Sequence, residues 1–491
     1  MTNLIIQGNR CRLEGEDDHG LLWALDRELS YNVMGAQFTQ AYKRGYMDPF
    51  SGQMVNWDGK NRLMDDSNMS FPIGLKQRVL DFYQKINSPI FITDNRPVSS
   101  SGSSIDISQR LKEMNRVPRS YQIAAMEAAK AHDYGIIRAP TGSGKTAIAA
   151  MITAALGKKT IIYVIGKDLL YQFHKFCTDV FQQKIGIIGD GLCEISDINI
   201  ISIWTIGQAL GLKKTELLLE SDDDDEKVVE KEKYKDIREL LLAAKVHILD
   251  ECHIASCATV STIAQHINPE HLYGMSASPW RDDGSDLLIE ALLGNRIIDI
   301  SAKQLIKQGY LVQPYIKFIN VPPYPEHIKK HYQTIYKTYI IENEIRNNLI
   351  LQNAEKLVGL KYKPLVLFKS IDHGKRLFKL LSQHLNCVLL SGKDDIKKRN
   401  KAKENIESGK IDLIIASKIF DIGLDVPILS ALINCGGGKA SVPTLQRVGR
   451  VIRTYPNKKV AAVVDFSDNA HYLRDHSENR KKILQEEFGL I

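Results

Sequence analysis

Long apolar runs are missing from this chain. Stretches such as Thr160–Ile165 are strand-sized, far short of the roughly 20 residues needed to cross a bilayer, so no membrane partner is expected. Met1 leads into a short mixed segment, not into a basic stretch followed by a long apolar one, and no secretory leader is read there. Cysteine is sparse: seven in 491 residues, without a CxxC pair. That excludes a disulfide framework or a disulfide partner and points to a reducing, cytoplasmic setting. Cys252, His253 and Cys257 cluster, but no fourth ligand stands at a familiar zinc spacing. No short repeat of the solenoid kind is present. Neither charge sign dominates: 65 Lys and Arg face 58 Asp and Glu, a formal net charge of +7. Such a mildly basic balance suits a phosphate-rich partner without identifying one.

A chain of 491 residues exceeds one ordinary core, so two or three domains are expected. Composition breaks at Val98–Ser104 (VSSSGSS), at the charge-rich Leu217–Lys235 and, less sharply, around Gly309–Pro323. The second reads as a solvated insertion. Between the first and third breaks, strand-like runs (Gly135–Ala139, Lys159–Ile165, Ile198–Ile203, Lys245–Leu249) alternate with helical stretches. The pattern repeats beyond Pro323 with Pro364–Phe368, Cys387–Leu390, Asp412–Ala416, Ala431–Asn434 and Val460–Val464. This alternation predicts an α/β protein with two tandem parallel-sheet lobes. The expected division is a small α+β N-terminal domain over 1–105, a first lobe over 106–308 carrying the acidic insertion 217–235, and a second lobe with a helical tail over 309–491.

Ala139–Thr146 reads APTGSGKT between an apolar strand and a helix, the context a phosphate-binding P-loop requires. Backbone N–H groups of Gly142, Ser143 and Gly144, in one turn with Thr141, can wrap phosphate oxygens. The helix N-terminus adds positive potential. Lys145 supplies a charge for the outer phosphates of ATP, and Thr146 a hydroxyl for Mg2+. Val246–His253, VHILDECH, brings two carboxylates to the end of a strand. Asp250 is the candidate second Mg2+ holder, Glu251 the group that orients and deprotonates the attacking water. His253 is placed as a coupler to the other lobe. In Gln446–Arg453, QRVGRVIR, Arg450 and Arg453 fall three apart on one helix face. As arginine fingers they must reach the phosphates from the second lobe, so ATP binding would close the cleft between lobes.

In their order these segments resemble the motifs of superfamily-2 helicases, from about Arg116 to about Asp468. The resemblance implies RecA-like lobes and an ATP-driven nucleic-acid motor. It implies an adenine-reading role for Gln122 in RSYQ, and Gly423 and Asp425 near ATP in ASKIFDIGLDVP. Strand contacts are implied for Gln172 in YVIGKDLLYQ, for Trp204 and Thr205, for Lys369 and Ser370 in LVLFKS, and for Ser417. SAS at Ser276–Ser278 is similar to the motif that links hydrolysis to strand movement. Ala139 at the first P-loop position matches the helicase variant of that loop. Gln446, and DECH in place of DEAD, separate the chain from RNA-directed DEAD-box proteins. SASPWRDDG and AKQLIKQGYLVQP resemble segments of XPB-like and phage UvsW-like DNA helicases, relatives of the RecG-like enzymes. KRGYMDPFSGQMVNWDGKNRLMD followed by FPIGL is similar to the small domain that holds branched DNA in UvsW-type enzymes. Phosphate contacts from Lys43, Arg44, Lys60 and Arg62 are expected there; Trp57, beside the hairpin-turn signal Asp58–Gly59, reads first as a core residue, and Trp57 or Tyr46 as a stacking surface is the other reading.

The resemblance thus implies a 3′-to-5′ DNA helicase acting on forks and Holliday junctions in replication, recombination and repair, with recombination proteins as further partners. A monomer is expected, in the host cytoplasm if a phage encodes it. An RNA helicase, a strand-annealing remodeller and a non-catalytic ATP-binding clamp are the alternatives. The intact Lys145, Glu251, Arg450 and Arg453 argue against the clamp. A restriction-complex motor would need a nuclease or methylase partner, and no nuclease motif is visible in this chain.

Overall fold

The structure, a computed structural model, describes residues 2–47, 54–96, 102–212, 228–256, 258–278, 286–323, 331–392, 394, 396–417, 426–438 and 441–489. Two sheets carry the site. The first has eight described strands in the order Leu192–Glu194, Gly186–Gly189, Ile198–Ser202, Thr160–Val164, Val246–Asp250, His271–Ser276, Tyr134–Arg138 and Arg296–Asp299. Its pairings are parallel except for the hairpin between the first two. TIIYV, INIIS and VHILD are buried along their whole length, as a sheet covered on both faces requires. Three strands therefore deliver three motifs side by side at one edge: Tyr134–Arg138 leads into the P-loop, Val246–Asp250 into DECH, and His271–Ser276, between them, into SAS.

The second sheet orders its six described strands as Gln313–Asn320, Val460–Ser467, Ala431–Asn434, Pro364–Leu367, Leu413–Ala416 and Cys387–Leu390, all in parallel. The first of these corrects the sequence reading, which took Gly309–Pro323 as a break. Gln313–Asn320 pairs with Val460–Ser467 along its full length. Pro314 is tolerated because the strand lies at the sheet edge, where a missing N–H costs no ladder bond.

The acidic insertion is also shorter than 217–235 at its C-terminal end. Val229 is buried, and Tyr234–Ala243 is a helix whose Ile237, Leu240 and Leu241 enter the first-lobe core. Its apolar spacing, hidden behind flanking Lys and Glu, decides the structure. The acidic run itself lies outside the described residues.

The N-terminal sheet, ordered Ser70–Pro72, Arg10–Glu14, Thr2–Gln7 and Ile90–Asp94, is not on a loose tether. Its core of Leu4, Ile6, Phe71, Val79 and Tyr83 includes Leu287 and Ala291 of the first lobe. A Cβ on Gly74 would fall 2.2 Å from the Glu290 carbonyl oxygen, so the glycine of FPIGL permits that contact. Arg78 bridges Glu290 at 2.6 Å and Glu28 at 3.2 Å. Nor is the described end of the small-residue linker slack: a Cβ on Gly102 would meet the Leu156 carbonyl oxygen at 2.0 Å.

Within the first core, the His247 ring lies between the Tyr163 hydroxyl, 2.6 Å from Nδ1, and the Ala244 carbonyl, 3.2 Å from Nε2. Burial pushes its pKa down to about 4. The unfolded chain therefore takes up a proton near pH 6.5 that the folded chain refuses. Stability from this group is complete above pH 6.5 and declines toward pH 4, at about 1.4 kcal/mol per pH unit. The midpoint of urea unfolding should fall over that window, and His247→Gln should flatten the fall. An unchanged slope in the variant would show that His247 is not held neutral.

Candidate functional site

The P-loop turns on Gly142 and Gly144, at φ +88° and +82°, and Lys145 opens the helix Lys145–Leu156. Both glycines are required locally. A Cβ on Gly144 would lie 2.6 Å from Gln122 Nε2, and one on Gly142 would lie 3.2 Å from Arg453 Cγ. The left-handed conformation adds roughly 1–2 kcal/mol for any other residue. Glu251 is itself left-handed, at φ +52°, an outlier of the kind that concentrates at working sites. It directs the carboxylate back to Lys145, whose Nζ donates to Oε1 at 2.6 Å and lies 3.9 Å from Asp250 Oδ1.

These charges tune one another. Burial opposes the Glu251 carboxylate, yet Lys145 and His253 hold its pKa below the usual range. Asp250 moves the other way, because burial beside a second carboxylate outweighs the pull of Lys145. Burial likewise opposes the Lys145 charge, and the two carboxylates raise its pKa in spite of it. Thr141 Oγ1, Ser143 Oγ and Asp250 Oδ1 are buried and have no hydrogen-bond partner among the described residues. Buried polar atoms seldom stay unsatisfied, and these three surround the cradle formed by the loop.

From the second lobe, the helix Ser441–Val451 closes on this cradle. A Cβ on Gly449 would meet Thr141 Cβ at 2.4 Å, so glycine there lets the helix touch the P-loop. Gln446 Nε2 donates to Glu251 Oε2 at 3.2 Å. Arg450 is half-buried on the same helix; Arg453, expected on one helix face with it, instead lies beyond the helix end at Val451, where pairing with Leu311 takes over, and its side chain passes over Gly142. The connection between lobes is tied in as well: Leu311 bridges Arg453, and the Val312 N–H donates to the Ile452 carbonyl at 2.8 Å. Arg453 is 308 positions from Lys145 along the chain (453 − 145), yet its side chain lies against the P-loop that Lys145 follows.

Several expected contacts are redistributed. His253 Nδ1 lies 3.3 Å from Ser276 Oγ and 3.5 Å from Glu251, both in its own lobe. Gln446, from the second lobe, bonds the same Glu251 carboxylate that His253 approaches. Gln122 is buried against the P-loop, donating to the Ser143 carbonyl at 2.9 Å and accepting from the Arg119 N–H at 3.0 Å. Reading adenine would require it to exchange those bonds. Tyr121 braces the same carbonyl at 2.7 Å, and Arg119 stacks over Tyr310 at 4.6 Å. These partners went unread because an aromatic beside a motif carries no positional signature. Gly423 and Asp425 lie outside the described residues.

The strand-contact candidates follow the C-terminal ends of parallel strands, where α/β sheets bind ligands. Gln172 and Lys369 are exposed; Trp204 and Ser370 are half-buried; Thr205 and Ser417 are buried. The last two cannot meet a strand through their side chains in this arrangement. Arg399 on helix Ile396–Glu407 pairs across the cleft with Asp168 on helix Lys167–Phe181, a contact that neither segment advertised. In the N-terminal region, Lys43 and Arg44 end the helix Gln40–Arg44 with no carboxylate partner among the described residues, and Lys60 is half-buried. Arg62 is bound by Asp58 at 2.7 Å and Asp26 at 3.1 Å, so its charge is already met. The Trp57 indole donates to the Lys60 carbonyl at 2.6 Å and supports the turn from inside. The side chain of Tyr46 lies outside the described residues.

Two parallel-sheet lobes that meet at a P-loop are the architecture of an ATP-driven helicase. Residues 115–281 match the family described as type III restriction enzyme, res subunit, and residues 349–455 match the helicase conserved C-terminal domain. The chain is a superfamily-2 helicase, related to the UvsW and XPB proteins. The ATP-dependent DNA helicase uvsW of Enterobacteria phage T4 is 25% identical over 478 residues, covering 92% of this chain and 88% of that protein. Putative helicase 22 of Sulfolobus islandicus filamentous virus (isolate Iceland/Hveragerdi) is 26% identical, covering 76% and 68%. The DNA 3'-5' translocase XPB2 of Sulfurisphaera tokodaii is 26% identical, covering 72% and 82%. Among solved structures, S. cerevisiae Dbp5 bound to RNA and ADP BeF3 superposes with a TM-score of 0.53 at 14% identity, covering 80% of this chain and 94% of that one. That likeness concerns the fold alone.

Proposed function

We propose that this helicase uses ATP and Mg2+ to translocate 3′-to-5′ on DNA and to unwind and branch-migrate forks and four-way junctions in replication, recombination and repair. The observation that carries the motor part is the approach of second-lobe Gln446, on the helix, and Arg453, just past its end, to Glu251 and the first-lobe P-loop. The residues fit a nucleotide with Mg2+: two glycines leave room for phosphate, and three buried oxygens have no hydrogen-bond partner among the described residues. Thr146 and Asp250 are the residues to hold Mg2+, which when bound neutralises phosphate charge.

In this reading phosphate oxygens compete with Glu251 for the Lys145 ammonium. The carboxylate so released orients water and takes its proton. Arg450 and Arg453 stabilise the charge that builds on the transferred phosphoryl group. Gln446 reports that change across the cleft, because its bond is to the same carboxylate.

The DNA part rests on the names of the relatives and on the N-terminal surface. Trp23 is 63% exposed with the Arg27 guanidinium 4.7 Å above its ring, and Phe38 is 76% exposed with Lys43 Nζ at 6.0 Å. Exposed aromatics under cations suit unstacked bases flanked by phosphate. A panel of tailed duplexes, forks, four-way junctions and RNA, read for ATPase stimulation, unwinding and strand exchange, tests the whole reading. Four-way junctions should be exchanged, and RNA should stimulate least; a preference for RNA would sink the DNA assignment. Deleting residues 1–105 is a poor test, because Leu287 and Ala291 would lose their cover. Trp23→Ala with Phe38→Ala is cleaner. Junction affinity should fall about 5- to 100-fold, from the stacking energy of one to two bases, by far more than kcat. Equal losses in both would assign these side chains a structural role.

A further inference from the structure

The strand Ala431–Asn434 ends in the run Cys435–Gly438, which leads toward the arginine-bearing helix Ser441–Val451. All four carbonyl oxygens of this run accept a hydrogen bond, each from a different element. Arg346 Nη1 donates to Cys435 O at 3.0 Å, and the Tyr336 hydroxyl to Gly436 O at 2.8 Å. Arg447 Nη1 donates to Gly437 O at 3.2 Å, and Arg480 Nη1 to Gly438 O at 2.7 Å. Positive φ at Gly437 and Gly438, +60° and +104°, lets successive carbonyls turn outward to these donors.

The three arginines are buried, with Arg346 and Arg480 at 1% exposure or less. Asp468 pairs with Arg346 at 2.8 Å and Asp465 with Arg480 at 2.9 Å. Asp465 also accepts from Asn434 at 2.8 Å, and Asn434 in turn accepts from Arg447 at 3.0 Å. A connected path therefore runs from the C-terminal helix Leu473–Phe488, through Arg480, Asp465 and Asn434, to Arg447 on the helix that carries Arg450. Burying ion pairs adds little net stability, since desolvation offsets attraction. Geometry is what such a network specifies.

We infer that Arg480, Arg346 and Tyr336 are positioning residues for ATP hydrolysis, locking the 435–438 run so that Arg450 and Arg453 meet the P-loop at a fixed angle. The inference rests on the arginine-finger reading above and adds the parts that aim the fingers. The same run also touches the strand side of the lobe. A Cβ on Gly436 would lie 3.0 Å from the Lys369 backbone nitrogen, and Lys369 Nζ lies 5.6 Å from the Tyr336 ring.

The test is steady-state ATP hydrolysis at saturating single-stranded DNA by Arg480→Lys, Arg450→Ala and the double variant. Arg480→Lys keeps the charge and shortens the fork, so kcat should fall about ten-fold with little change in KM, the cost of misaligned catalytic groups. In the Arg450→Ala background the same change should cost almost nothing further, because the group it aims is gone. Wild-type kcat in Arg480→Lys, or a full second loss in the double variant, overturns the inference. Wild-type turnover in Arg450→Ala alone would remove the finger reading, and this one with it. Should Arg480→Lys fail to fold, Tyr336→Phe deletes one hydroxyl; about five-fold in kcat, equally non-additive, is then expected. Additive or absent loss there counts against the inference.

Discussion

Lys145→Ala is expected to lower DNA-stimulated ATP turnover by at least about a thousand-fold, the scale on which charge stabilisation at a transferred phosphoryl group operates. Two effects combine. The variant loses the cation that faces the outer phosphates, and it leaves Glu251 and Asp250 as two carboxylates without their shared partner at 2.6 and 3.9 Å. Unpaired negative charge beside an incoming triphosphate repels it, so nucleotide affinity should drop as well as kcat. Lys145→Arg should not rescue turnover, since the longer planar fork does not fit a cradle bounded by Ser143 and Gly144. DNA affinity without nucleotide should change little, because the lysine is enclosed between the P-loop and DECH. Turnover at the wild-type level would remove the P-loop from the mechanism, and loss of DNA binding in parallel would point to collapse of the first lobe.

Motifs tied to local backbone geometry were legible in the sequence. A glycine-rich turn after an apolar strand has few other uses, and APTGSGKT stands where that reasoning put it, at the start of Lys145–Leu156. The parallel lobes were legible because most of their strands are predominantly apolar runs. The edge strand Gln313–Asn320 was not, because only two of its eight residues are buried and Pro314 interrupts the pattern. Partners across the cleft were the least legible. Gln446 bonding Glu251, Arg399 pairing with Asp168, and Gly449 resting on Thr141 are contacts between segments at least 195 residues apart. Periodicity and spacing report on neighbours in the chain, so such contacts leave no mark in either segment alone. The N-terminal region failed differently. Lys43, Arg44, Lys60 and Arg62 read alike as basic residues, and only the fold separates Arg62, held by two aspartates, from Lys43 and Arg44.

Glu251→Gln should separate nucleotide binding from hydrolysis. The amide keeps the size of the side chain and can still accept from Gln446, but it cannot take a proton from water. Turnover should therefore fall by roughly a hundred-fold or more, the range of a lost general base. Binding should move the other way. Glu251 holds Lys145 at 2.6 Å, so phosphate must displace a carboxylate before the ammonium can serve it. Removing that charge releases the lysine, and ATP affinity should equal or exceed that of the natural protein even as kcat collapses. The lobes should then remain closed on unhydrolysed ATP, because Gln446, Arg450 and Arg453 keep their route to the site while the step that ends their engagement is blocked. Equilibrium binding of a fluorescent ATP analogue, with fluorescence energy transfer between labels on the two lobes, reads both effects. Tight binding with slow turnover and a persistently closed cleft is the expected result. Weakened ATP binding would mean that Glu251 is a ligand of the nucleotide complex and not the competitor for Lys145, and normal turnover would place the base elsewhere.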